Sequence, residues 1–269
     1  MLRDDTPAEE RIGSRDLTHW RTRTGRRLAG WVVEHATGLA RWSAAHLVLV
    51  VTALVGGAVA VALTAAAAQV YDAVTESDGI AALDRPVLDQ AIAWRSPGLD
   101  HALTTYTDVG GPVGMPVLAT LVTLLLVVLW RSRTPLVLMV IAALGSLAMT
   151  VTGKAVIGRS RPPSSDAVPP FETSPSFPSG HTLNATVLTG VIVYLLLRRI
   201  EPAWARATTV LLGAVFVVTM GLSRVFLGHH WLTDVVAGWA LGLAWVAAVV
   251  TAHRLYLTVR RRPQPDAGL

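Results

Sequence analysis

VGGPVGMPVLATLVTLLLVVLW, residues 109–130, is followed after Arg131-Ser132-Arg133 by TPLVLMVIAALGSLAMTVTG, residues 134–153. Neither window contains Asp, Glu, Lys or Arg. Each matches the roughly 20 apolar residues that a helix needs to cross a bilayer. Two such windows separated by three residues read as a pair of antiparallel membrane helices. Four more follow from the same search: Trp42–Tyr71, with its span near Ala44–Ala68; Thr173–Leu197, after a polar start; Ala207–Ser223, the shortest; and Val235–His253. The expected fold class is therefore all-α, a polytopic membrane helix bundle with six transmembrane helices.

The rest of the composition agrees. The chain has 269 residues, of which 52% are hydrophobic and 15% charged, unlike an average soluble domain. It has no cysteine, which excludes a disulfide framework and a thiolate metal site. The net charge of +5 could signal nucleic acid or a membrane surface. Here the arginines lie between apolar runs, so a membrane is expected and nucleic acid is not.

Arginine placement orients the bundle, because cytoplasmic loops carry the basic excess. Arg21, Arg23, Arg26, Arg27 and Arg41 precede span one, and Arg131 and Arg133 separate spans two and three. Arg198, Arg199 and Arg206 separate spans four and five, and Arg254 with Arg260 to Arg262 follows span six. With six spans all of these share one side, so both termini are expected in the cytoplasm. The organisation is then a cytoplasmic tail over residues 1–41, a six-span domain over 42–254 and a cytoplasmic tail over 255–269. Two readings of the first tail compete, a solvated segment or an interfacial helix near Leu28–Val33. The acidic segment Asp72–Gly111 has Leu83, Val87, Leu88, Ala91 and Ile92 at helical spacing. It reads either as a helix lying on the membrane or as one capping the bundle. Gly238 and Gly242 form a small-xxx-small pair that lets helices approach closely.

The remaining charges fall into three blocks: Lys154 through Arg161-Pro162, Pro178-Ser179-Gly180-His181, and Ser223-Arg224 through His230 to Asp234. The expected topology carries all three to the non-cytoplasmic face. Lys154, Arg161 and Arg224 supply three cations, which suits a tetrahedral dianion whose charge redistributes during reaction. Lys154 is the sole lysine in a chain that otherwise uses arginine, so the position favours a compact ammonium. Ser179 and Gly180 lie at a helix N-terminus, where N–H groups and the dipole favour an anion. His230 and Asp234 are four apart and share a helix face. The carboxylate can hold one imidazole nitrogen protonated and leave the other free to attack. His229 is the competing nucleophile, but a spacing of five to Asp234 is poorer. His181 can protonate the leaving oxygen.

Other polar residues take plainer readings. Arg159 and His229 are expected to be interfacial charges, Asp166 and Glu172 to sit in a solvated loop, and His46 and His253 to pack or anchor at span ends.

Together the blocks resemble the signature of the type 2 phosphatidic acid phosphatase family: Lys-x6-Arg-Pro, Pro-Ser-Gly-His and Ser-Arg-x5-His-x3-Asp. This family includes bacterial undecaprenyl diphosphate and phosphatidylglycerophosphate phosphatases. The resemblance covers about Leu83–Thr251. It implies that Lys154, Arg161, Ser179, Gly180 and Arg224 bind phosphate, that His181 is the acid, that His230 is the nucleophile and that Asp234 orients it. It also implies that neither a metal nor another cofactor is needed, and it leaves the role of Ser223 open. The expected activity is hydrolysis of a lipid phosphate or diphosphate (polyprenyl diphosphate, phosphatidate or phosphatidylglycerol phosphate) through a phosphohistidine, at the extracytoplasmic face of the cell membrane. The expected partners are the lipid phosphate substrate and membrane lipids. A lipid phosphotransferase using the same phosphoenzyme is the alternative. A transporter or scaffold would give no reason for the complete set of two histidines, an aspartate and three cations.

Overall fold

The computed structural model describes residues 11–12, 15–16 and 23–260, with side chains from residue 46 onward and at Arg27 and Trp31. Among these residues are eight α-helices. They are α1 (Arg23–Glu76), α2 (Asp84–Ala93), α3 (Pro97–Val109), α4 (Gly114–Trp130), α5 (Thr134–Ile157), α6 (Gly180–Leu197), α7 (Ala203–Phe226) and α8 (Leu232–Arg260). Beside the helices, the described residues hold one short β pair, β1 (Arg11–Ile12) antiparallel to β2 (Arg15–Asp16). The chain divides into two units, residues 1–51 with 258–269, and residues 52–257. The second holds everything discussed below.

Among the described residues five helices are long and apolar enough to cross a membrane: His46–Glu76 within α1, and α5, α6, α7 and α8. A sixth span arises if α3 and α4 count as one, since they pass together but bend by 49° at their break. That break corrects the expected single span over Val109–Trp130. The sequence there is Gly110-Gly111-Pro112, and proline removes the N–H that would continue the ladder. The fifth span is also not the shortest. Its helix continues through Arg206 and Arg224 for 24 residues, whereas α6 has 18. A charge-free window marks what lipid tolerates, and a buried, paired arginine need not end a helix.

Packing centres on α4, α5, α6 and α8. Met115, Ala119, Leu126, Leu138, Met139, Ala142, Leu183, Val187, Val191, Leu195 and Val249 form one buried cluster. A smaller one joins Val70 of α1 to Phe177 and Ala237. Since lipid is as apolar as leucine, helices associate through close contact rather than exclusion of water. The expected close approach at Gly238 and Gly242 is realised: an added Cβ at Gly242 would lie 2.7 Å from the Thr186 side chain, so α6 and α8 meet backbone to side chain there. Tyr194 Oη lies 2.9 Å from His253 Nδ1, which accounts for His253 as a packing residue.

The helix directions place the ends of α5 and α7 beside the beginnings of α6 and α8. The short α2 joins this same end. Its Arg85 pairs with Asp166 at 2.8 Å, and Arg95 donates to the carbonyls of Phe226 and Asp166. Asp166 is therefore a docked loop residue, not a solvated one.

Candidate active site

All three sequence blocks meet at this end. The segment after α5 supplies Arg159 and Arg161, the segment before α6 supplies Ser174 to Ser179, and the turn between α7 and α8 supplies His229 and His230. That turn needs Gly228. Its φ is +72°, and an added Cβ would stand 2.2 Å from the Asp166 carbonyl. The N–H groups of His229 and His230 both donate to the Arg224 carbonyl, at 3.0 and 3.2 Å, which closes α7 and turns the histidines inward.

His230 is 1% exposed. Its Nδ1 faces Asp234 Oδ2 at 3.4 Å, and its Nε2 faces Arg161 Nη1 at 3.2 Å. A carboxylate only accepts and a guanidinium only donates. The ring is therefore the neutral tautomer with the proton on Nδ1 and the lone pair on Nε2, aimed at a cation. Burial pushes His230 down to about 4, against the opposing pull of Asp234. His229 is held differently. Its Nε2 donates to the Val168 carbonyl at 2.7 Å, and its Nδ1 stands 4.0 Å from Glu172. Among the described residues its Nδ1 has no hydrogen-bond partner, so no carboxylate fixes this ring as Asp234 fixes His230. His229 is 4% exposed rather than interfacial.

The cations close around one point. Lys154 Nζ donates to Ser174 Oγ at 3.0 Å and to the Pro175 carbonyl. Arg161 donates to the carbonyls of Ser174 and His229, each at 2.6 Å. Arg224, 2% exposed, donates to Thr107 Oγ1 at 3.1 Å, and its Nε is buried without a partner. Ser223 donates to the Met220 carbonyl at 2.7 Å, and its Oγ lies 3.3 Å from Thr107 Oγ1, beside the partner of Arg224. Ser179 caps α6, its hydroxyl accepting from Thr182 Oγ1 at 2.9 Å, and its N–H donates to the Asp234 carbonyl at 3.1 Å. Gly180 and His181 open that helix. The charges acting on the His181 ring are Arg224, Glu172, His230 and His229, so it shares their neighbourhood.

Four participants were not expected from the sequence: Glu172, Ser176, Arg159 and Asp84. Glu172 is not solvated: it pairs with Arg161 Nη2 at 2.6 Å and with Arg224. Burial alone would raise its pKa, but Arg224, His230 and Arg161 together hold it near 2. Ser176, fully buried, donates to Asp234 Oδ2. Arg159 is no interfacial charge; it bridges Asp84 and Asp234 at 2.7 and 2.6 Å. Among the described residues no group of three His, Asp or Glu side chains could hold a metal ion. The arrangement offers a buried imidazole lone pair and a helix N-terminus beside three cations, of which Lys154 and Arg161 share Ser174 and Arg161 and Arg224 share Glu172.

Comparison with known proteins gives a consistent picture. Residues 134–256 match the model of the PAP2 superfamily. Phosphatidylglycerophosphatase B of Bacillus subtilis (strain 168) is 29% identical over 172 residues, 64% of this chain and 83% of that protein. Undecaprenyl-diphosphatase of Sulfolobus acidocaldarius is 34% identical over 130 residues, 47% of this chain and 58% of that protein. The crystal structure of the first transmembrane PAP2 type phosphatidylglycerolphosphate phosphatase from Bacillus subtilis matches with a TM-score of 0.66 at 25% identity, covering 77% of this chain and 98% of that one.

Proposed function

We propose, from the match of residues 134–256 to the PAP2 superfamily, that this chain hydrolyses a lipid phosphate or diphosphate through a phosphohistidine at His230. The observation that carries the reading is the orientation of that ring, with Nδ1 on Asp234 and Nε2 beside Arg161.

The Nε2 lone pair attacks phosphorus. The bond from phosphorus to the leaving oxygen breaks, that oxygen belonging to the lipid alcohol of a monophosphate or to the departing lipid monophosphate of a diphosphate, and His181 gives its proton to it. Asp234 stabilises the positive ring as the N–P bond forms. Water then attacks phosphorus, His181 takes its proton, and the N–P bond breaks to release inorganic phosphate. Lys154, Arg161, Arg224 and the N–H groups that open α6 at Gly180 balance the charge on the phosphoryl oxygens. No step calls on a metal ion, so excess EDTA leaves the rate unchanged.

Positive-inside placement of Arg131, Arg133, Arg198, Arg199 and Arg254 supports a site on the extracytoplasmic face. A lipid diphosphate presented at the outer leaflet fits that location, and two relatives carry names for phosphatidylglycerophosphate and undecaprenyl diphosphate hydrolysis.

Purified full-length protein is assayed in detergent with phosphatidate, phosphatidylglycerol phosphate and a polyprenyl diphosphate. Release of inorganic phosphate from at least one supports the reading. Transfer of labelled phosphate to an added alcohol without release to water replaces it with a phosphotransferase. No turnover of any of the three refutes it.

A further inference from the structure

We propose that Asp84 and Arg159 are positioning residues, forming with Asp234 a buried relay that orients His230 and sets its basicity. The proposal rests on the reading of His230 as nucleophile. Neither residue belongs to a fixed position of the three sequence blocks, and Asp84 lies fifty residues before the segment that matches the family.

The contacts are specific at each joint. Asp84 opens α2 and is 5% exposed. Its Oδ1 accepts from the Thr233 N–H at 2.9 Å, and its Oδ2 accepts from Thr233 Oγ1 at 2.6 Å and from Arg159 Nη2 at 2.7 Å. Arg159 Nη1 donates to Asp234 Oδ1 at 2.6 Å and to Thr233 Oγ1 at 2.7 Å. The guanidinium also lies over the Trp231 ring at 5.6 Å. Asp234 Oδ2 is left for Ser176, the Trp231 N–H at 2.9 Å and His230 Nδ1. The fork of Arg159 thus divides between two carboxylates, and the oxygen of Asp234 that it holds is not the one facing the imidazole.

Two consequences follow. Holding Oδ1 fixes the carboxylate plane, so Oδ2 stays on His230 Nδ1 and the lone pair of Nε2 stays on the phosphorus side. The charges also balance, because two carboxylates and one guanidinium leave a single negative charge behind the imidazole. Loss of Asp84 alone leaves Arg159 to neutralise Asp234, which makes the imidazole harder to protonate. Loss of Arg159 alone leaves two negative charges, which makes it easier to protonate. The other charged groups around His230 are Arg161, Arg224, Glu172 and His181, with Lys154 in the same cluster, and neither substitution alters them.

The experiment measures kcat and KM against pH with an aryl phosphate, for the full chain in detergent. Asp84→Asn and Arg159→Gln each lower kcat by about 10- to 100-fold, the usual effect of removing a partner one shell from the chemistry, while KM stays within about twofold because no phosphate contact is lost. The acid limb of kcat/KM moves to lower pH in Asp84→Asn and to higher pH in Arg159→Gln. The double variant brings the limb back toward wild type while kcat stays low. Where the neutral variants fail to accumulate, Asp84→Glu and Arg159→Lys keep the charges, so the limb holds while kcat falls. Limbs that move in one direction in both neutral variants, or a limb that moves in the conservative pair, overturn the relay. A fall in melting temperature with kcat and pH profile unchanged reduces the network to a clamp and also overturns it. Inactive His230→Ala beside wild-type behaviour of Asp84→Asn and Arg159→Gln sinks the relay alone. Full activity in His230→Ala sinks the nucleophile reading instead.

Discussion

The Glu172 carboxylate lies 2.6 Å from the Arg161 guanidinium. Its other oxygen accepts from Arg224, so one side chain engages two of the three cations that are to hold phosphate. An incoming phosphate must displace that carboxylate. Glu172→Gln should therefore tighten binding of inorganic phosphate and vanadate by about tenfold, given the roughly 1.5–3 kcal/mol of a hydrogen bond to a charged group. Inhibition constants for both anions check this. With Glu172 held near 2 it remains ionised at any working pH, so the gain is the same at pH 5 and pH 8. Weaker anion binding in the variant would make Glu172 part of the cradle rather than its competitor.

The cations should fail differently. Arg161 uses Nε and both Nη atoms on Ser174, His229, His230 and Glu172, a fork that lysine cannot reproduce. Arg161→Lys is expected to lower kcat/KM by about 10²-fold, the scale for losing one transition-state donor. Lys154→Arg should also lose activity, since its ammonium fits between Ser174 and the Pro175 carbonyl. Arg133→Lys, on an exposed residue at the opposite end of α5, should be silent. Equal activity in all three removes the case for a phosphate-binding trio.

Rate against pH tests the state of the imidazole. Attack requires neutral His230, and burial holds its pKa near 4 rather than at the ordinary 6.5. The neutral form then persists as pH falls, and in His181→Ala, where no general acid titrates, phosphoenzyme formation from an aryl phosphate should hold through pH 6 and drop only toward pH 4. An acid limb near 6.5 would mean that the ring is more solvated than its surroundings indicate.

Topology can be read with single cysteines, because the chain has none of its own. Ser165 is exposed in the loop between α5 and α6 and Arg133 is exposed at the α4–α5 turn. An impermeant thiol reagent on intact cells should label Ser165→Cys and spare Arg133→Cys. The reverse pattern would move the active site to the cytoplasm.

Much of this site was legible because its chemistry is tied to spacing. His230 and Asp234 at i and i+4, and blocks at the ends of alternating apolar runs, bring the motif residues together without tertiary knowledge. What stayed hidden is set by contact. Arg159 is two residues from Arg161, yet it serves Asp84 and Asp234 instead of phosphate, because those two carboxylates reach it from the start of α2 and of α8. Asp84 lies unmarked within the acidic segment Asp72–Gly111, and Glu172 was expected to sit in a solvated loop. Their one advance signal was a surplus of ionisable groups at a membrane edge, where unpaired charges are costly. The bend before α4 was written in Gly110-Gly111-Pro112, but a charge-based window passes over backbone breakers.

The central claim is a covalent bond to His230, and rapid acid quench with labelled lipid phosphate tests it most directly. His181→Ala should still form phosphoenzyme slowly with an aryl phosphate, whose leaving group needs little protonation. The account predicts an acid-labile, base-stable label on His230 of the wild-type protein and none in His230→Ala. A wild-type protein that turns over without any such label, or one whose label maps to His229, would contradict it.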